Sequence, residues 1–234
     1  MSPSSMLDPQ QPVSPSESIR QDDDRLIQMP APPDVDAELV PDEMPQFTVR
    51  PITIEQYEYL VDIGFYGDAR VEMLDGFVVS KMTHGDMAAT IIDILTGVLR
   101  SALPDSISLR CQLPIRVDTG APEPDLTVSE GPGSRYRTQK PTANDIFVVI
   151  EVSDSTLQKD RGTKLRMYAR NQIREYWLVN CVDRQIEIYT EPGTVSGQPH
   201  YGAKTLVSLG QTAILRIKDQ SPIEIPLATL FGEG

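Results

Sequence analysis

Ile146-Phe147-Val148-Val149-Ile150-Glu151-Val152 is the stretch on which the fold turns. Six of its seven residues are apolar and five of those are β-branched valines or isoleucines, at 146, 148, 149, 150 and 152. An unbroken run of this kind predicts a central strand covered on both faces. Glu151 violates the pattern. A carboxylate at that point costs several kcal/mol if it is buried without a partner, so it needs a cation or a hydrogen-bonding partner.

Elements of both kinds flank this strand. Upstream, Thr53 caps a predicted helix over 54–63, with Tyr57, Leu60 and Val61 inward and Gly64 ending it. A hairpin follows, 70–74 and 77–82 around Asp75-Gly76. A long helix over 84–103 carries Met87, Ile91, Ile94, Leu95 and Val98 as its apolar stripe. Strands are expected at 107–111, 113–118 and 125–128. Downstream, a helix over 159–170 leads to a strand at 175–180 and an alternating one at 185–190, then two or three short strands and a terminal apolar helix or turn over 203–231. Helices mixed with one sheet of parallel and antiparallel strands make the class α/β or α+β.

The chain has 234 residues, and its 21 Lys and Arg against 34 Asp and Glu give a net charge of −13. That balance excludes a general polycation that coats nucleic acid or anionic lipid. Much of the acidity lies in residues 1–46, which hold nine prolines, ten acids, two bases (Arg20 and Arg25) and no aromatic residue. Such a segment buries too little apolar surface to offset its ordering entropy, so it is expected to be a disordered acidic, proline-rich tail before a folded domain over 47–234. Residues 131–174 reverse the balance with nine bases against four acids. No apolar run approaches the roughly 20 residues of a membrane span, the N-terminus lacks a secretory pattern, and two cysteines, Cys111 and Cys181, are too few for a disulfide scaffold. A cytoplasmic location is expected.

The chemistry gathers around Glu151. Asp125 opens the preceding apolar strand after Glu123-Pro124. If the two strands are neighbours, both carboxylates project at one end of the sheet, where a hard cation such as Mg²⁺ would relieve their repulsion. The plainer account makes Asp125 a strand cap and pairs Glu151 with a helix base. Lys164 lies on the helix after the Glu151 strand, four residues from both Asp160 and Tyr168, so the three share a face. It suits stabilisation of developing charge at a phosphate, or a simple Asp160–Lys164 surface pair. His84 is expected as a polar helix-start residue near the cleft, Trp177 and Tyr176 as core, Cys111 and Cys181 as small hydrophobes, and Ser153, Ser155 and Thr156 as caps of the next helix.

Glu123-Pro124-Asp125, Val148 through Thr156, Asp160…Lys164…Tyr168 and Glu175-Tyr176-Trp177-Leu178-Val179 together resemble the Uma2 family of restriction-endonuclease-like proteins, in the PD-(D/E)XK nuclease superfamily. Glu72-Met73-Leu74-Asp75-Gly76 and His84 resemble that family's hairpin and helix start. The resemblance runs from about 53 to 190. It implies a restriction-endonuclease-like mixed β-sheet flanked by helices and a metal-dependent endonuclease hydrolysing phosphodiesters, with DNA as the expected substrate. Glu72, Asp125 and Glu151, with the main-chain carbonyl of Val152, would hold Mg²⁺ or Mn²⁺, and Lys164 would complete the catalytic set. The superfamily lysine normally stands two residues after the second acid; Ser153 occupies that position here, so the role passes to Lys164. Asn171 stands near the usual glycine of the helix end and is expected to take the left-handed conformation. Arg135, Arg137, Lys159 and Arg161 are expected phosphate contacts, and a homodimer is expected because cutting two strands needs two sites. The rival is a nuclease-fold protein that binds nucleic acid or a protein partner without cutting.

Overall fold

The computed structural model describes residues 50–232. The expected tail over 1–46 lies outside them. Ile146–Ser153 (β5) is the third strand of a six-stranded sheet in the order β3-β4-β5-β6-β7-β8, with the others at Ile107–Cys111 (β3), Leu126–Glu130 (β4), Glu175–Asn180 (β6), Gln185–Val195 (β7) and Gln198–Ser208 (β8). β5 and β6 run parallel and every other neighbouring pair runs antiparallel. The parallel step is made by a helical crossover: Leu157–Lys159 (α3), a π-helical turn over Asp160–Lys164, and Leu165–Arg170 (α4). The sheet is therefore mixed and flanked by helices, as expected.

Period-2 alternation gives each face of the sheet its own core. Leu126, Val128, Val148, Ile150, Val152, Trp177 and Val179 face the helix Asp86–Ala102 (α2) and a small hairpin, Thr212–Leu215 (β9) with Ile223–Pro226 (β10), followed by Leu227–Phe231 (α5). Val149, Tyr176, Leu178, Tyr189 and Tyr201 pack on the opposite side against Leu165, Met167 and Tyr168. Trp177 and Tyr176 are fully buried, and Cys181 is buried while Cys111 is half-buried.

The N-terminal elements share a small core of Ile54, Tyr57, Met73 and Ala121. Ile54–Asp62 (α1) begins with the expected cap at Thr53, completed by a reciprocal bond from Gln56. Val71–Leu74 (β1) and Phe77–Ser80 (β2) form the expected hairpin, with Asp75 and Gly76 at φ +49° and +86°, as a two-residue type I′ turn requires.

Several expectations are corrected. Val61 and Met87 are exposed, because α1 rests mainly on Ile54 and Tyr57, and α2 starts only at Asp86 so that Met87 points out of its first turn. The buried stripe of α2 is Ala88, Ile91, Ile92, Leu95 and Leu99. Residues 113–118 make isolated bridges instead of a strand. Gln172, at φ +59°, takes the left-handed position, while Asn171 stays at φ −85° and hydrogen-bonds the Met167 and Asp118 backbone with its amide.

Candidate active site

Strand register builds the site. β4 and β5 pair antiparallel with Leu126 opposite Ile150, so extending the ladder one step sets Asp125 opposite Glu151. The Val152 N–H donates to Asp125 Oδ2 at 2.8 Å, joining the two strands through the carboxylate itself. Both acids lie on the sheet face turned toward the crossover helix, since their neighbours Leu126, Ile150 and Val152 belong to the opposite core. Glu72 arrives from the hairpin, which is bridged to the chain before β4 by Met73 and Ala121; the Glu123 N–H donates to Glu72 Oε2 at 3.3 Å.

Lys164 reaches the same point from the helical crossover. Its ammonium stands 2.8 Å from Glu151 Oε1, 3.5 Å from Glu72 Oε2 and 3.9 Å from Asp160 Oδ1. Tyr168, one turn further, donates its hydroxyl to Glu151 Oε1 at 2.6 Å. The i, i+4 spacing of Asp160, Lys164 and Tyr168 is thus a buried constellation and not a solvated surface pair: Asp160 and Lys164 are 2% and 3% exposed. The turn that carries Asp160 and Lys164 is π-helical, a rare form that is frequent at functional sites.

His84, just before α2, places Nε2 2.7 Å from Asp125 Oδ1 without a well-aligned hydrogen bond. Asp160 is held through Oδ2 by the hydroxyls of Ser153 and Thr156, which bind it instead of capping the next helix. Its Oδ1 is buried with no hydrogen-bond partner among the described residues. Glu72, His84, Asp125, Glu151, Asp160 and Lys164 all line one cavity of about 20 Å³, room for about one water or one ion.

The electrostatics follow from this crowding. Burial, together with the charges of Asp125, Asp160 and Glu72, raises the Glu151 pKa to about 8 despite the opposing Lys164. Burial opposes the charge on Lys164, but the surrounding carboxylates hold it above the ordinary lysine value. Burial likewise opposes ionisation of Glu72, and Lys164 and Lys159 outweigh it, holding Glu72 below the ordinary carboxylate value. The Asp125 carboxylate raises the His84 pKa against burial.

Among the described residues no three or more His, Cys, Asp and Glu are gathered as a ready chelate. The donor set nevertheless fits a hard divalent cation in kind and in room: Glu72, Asp125 and Glu151 offer carboxylate oxygens around a one-ion cavity, and the partnerless Asp160 Oδ1 borders it. Lys164 supplies the balancing charge in the structure as it stands.

The four expected phosphate contacts separate. Lys159 donates to Glu72 at 3.1 Å, Arg161 is paired with the buried Glu187, and Arg135 is paired with Glu130 and Asp145. Arg137 makes no ion pair among the described residues. These pairings were not readable from spacing, since Glu72 and Glu187 lie 87 and 26 residues from their partners. Asp160 as a buried acid and Tyr168 as a ligand of Glu151 were legible only as helical spacing.

Residues 54–216 match the model of the Uma2 family, whose description is "Putative restriction endonuclease". No curated protein matches the chain. Among solved structures, it is similar to a protein from Anabaena variabilis ATCC 29413 described as "a putative nuclease belonging to DUF820", with a TM-score of 0.58, 15% identity, and coverage of 77% of this chain and 98% of that one. A likeness at this identity speaks for the fold, and the fold agrees with the family match. On the span of that match, the chain belongs to the restriction-endonuclease-like Uma2 family.

Proposed function

We propose that the protein is a Mg²⁺-dependent endonuclease that hydrolyses phosphodiester bonds in nucleic acid, DNA foremost. The observation that carries this reading is the set Asp125, Glu151, Glu72 and Lys164 around one ion-sized cavity at the end of β4 and β5. Glu72, Asp125 and Glu151, with the Val152 carbonyl, would hold Mg²⁺, and Mn²⁺ would substitute. When bound, the metal supplies Lewis acidity and a lowered pKa for water. Lys164, buried and protonated, stabilises the negative charge that builds on the phosphoryl oxygens. Tyr168 fixes Glu151 through its hydroxyl and the Val152 N–H fixes Asp125 through Oδ2, while His84 stands beside Asp125 Oδ1. Two copies would be needed to cut both strands of a duplex, which favours a homodimer.

A second reading has a specific observation behind it. Lys164 and Lys159 already satisfy the carboxylates, which suits a protein of this fold that binds nucleic acid or a partner without cutting. Incubating the full chain with plasmid DNA and with RNA, in Mg²⁺ or in EDTA, separates the two. Cleavage that requires metal and disappears in Asp125→Ala supports the enzyme; no cleavage of either substrate at millimolar Mg²⁺ or Mn²⁺ supports the rival.

A further inference from the structure

A second polar site lies on the same face of the sheet. Asp125, Thr127 and Ser129 alternate onto that face of β4, and Arg110 and Ser108 of β3 stand directly opposite Thr127 and Ser129. Arg110 therefore springs from about 7 Å along the strand and about 5 Å across from Asp125. Its guanidinium lies over the Tyr136 ring, 5.5 Å from the centroid, and its Nη2 is 3.4 Å from the Pro114 carbonyl. Tyr136 is itself anchored, because its hydroxyl donates to the Glu130 carbonyl at 2.5 Å and Arg135 covers its ring.

This arginine is pre-set but unpaired. No carboxylate pairs with it among the described residues, and its Nε is buried without an acceptor. Thr127 Oγ1 and Ser129 Oγ, beside it in the ladder, are also buried and partnerless. Burial pulls the guanidinium below its ordinary pKa, as expected of a cation without a counter-ion. Arg110 opens into a cavity of about 770 Å³, bordered also by Arg137, Thr138 and Gln139. Arg116 and Lys140 line it too but are paired with Glu58, and Asp145 is paired with Arg135. Asp62 borders the cavity with no ion pair among the described residues. Arg110 and Arg137 are left as the cationic donors without a carboxylate.

We propose that this cavity is a phosphate subsite, in which Arg110, held flat on Tyr136, and Arg137 grip a phosphodiester of the nucleic-acid strand whose scissile bond lies at Asp125 and Glu151. A planar guanidinium with donors not taken by a carboxylate matches the oxygens of a phosphate, and Arg110 and Asp125 project from one face of neighbouring strands. The inference rests on the proposed function for the identity of the strand.

The test is the affinity of the full chain for a fluorescein-labelled oligonucleotide, by anisotropy in EDTA at several salt concentrations, for wild type, Arg110→Gln and Arg137→Gln. Arg110→Gln should bind about tenfold or more weakly, since a hydrogen bond to a charged group contributes about 1.5–3 kcal/mol, and its salt slope should fall by about 1. Arg137, at the surface, should give a smaller loss with a similar change in slope, and decides the matter alone if circular dichroism shows Arg110→Gln misfolded. Unchanged affinity and slope in the folded variants, or no binding by wild type, overturns the subsite. Cleavage does not enter this readout. A chain that binds through Arg110 yet never cuts would refute the nuclease reading and leave the subsite standing.

Discussion

Replacing Glu151 by glutamine should stabilise the metal-free protein at alkaline pH. Glu151 is 3% exposed and its carboxyl titrates at about 8, against 4.5 for an unperturbed glutamate. Below pH 4.5 the group is protonated in both folded and unfolded chains and contributes nothing. Between 4.5 and 8 the unfolded chain loses the proton while the folded chain keeps it, so stability falls as pH rises, and the full penalty is present above 8. At 1.36 kcal/mol per pH unit the gap sets a ceiling of about 5 kcal/mol. Relaxation of the cavity and entry of water reduce it, so about 2–4 kcal/mol is expected at pH 8.5. Glutamine keeps the shape and an acceptor for Lys164 and Tyr168, whose bonds to Glu151 are 2.8 and 2.6 Å. Urea unfolding of wild type and Glu151→Gln in EDTA, from pH 4.5 to 8.5, measures the difference. A gain that grows with pH supports the reasoning. A variant less stable than wild type at pH 8.5, or a difference that does not change with pH, refutes it.

Lys164→Met should destabilise the metal-free protein by about 3–5 kcal/mol at pH 7.5, because it strips the counter-charge from buried Glu72 and the ammonium donor from buried Glu151; the same unfolding assay reads it, and a change below 1 kcal/mol would show the site to be solvated. Gly120→Ala should lower stability by about 1–3 kcal/mol, since its Cβ would meet the Met73 carbonyl at 2.5 Å and push the hairpin that delivers Glu72. Any metal-dependent cleavage should fall with it, and normal stability would place the hairpin elsewhere. Trp177→Ala, at a fully buried position of the central sheet, should cost about 3–5 kcal/mol by thermal or urea unfolding.

The parts of the fold readable in the sequence are those fixed by local rules. The apolar run at 146–152 marked β5, and Asp75-Gly76 marked the hairpin through the two left-handed residues it supplies. The long hairpin of β7 and β8 was not readable, because Pro192 and Gly193 look like a break at 190. Proline is tolerated there because β6 pairs with β7 only as far as Thr190, leaving the Pro192 edge free of that ladder. Asn171 was the more favourable residue for a left-handed helix end, yet its side chain holds the Asp118 and Met167 backbone, and Gln172 takes the turn. For the site, a charge placed against an apolar pattern exposed Glu151, while the partners of Lys159 and Arg161 depend on tertiary approach that no spacing encodes.

Calorimetric titration of Mg²⁺ and Mn²⁺ into the full chain, with and without a DNA oligonucleotide, tests the central claim most directly when run on wild type, Asp125→Ala and Glu151→Ala. The account predicts metal binding by wild type, strengthened by DNA and lost in both variants. Binding that survives both substitutions, or none in wild type even with DNA present, would contradict it.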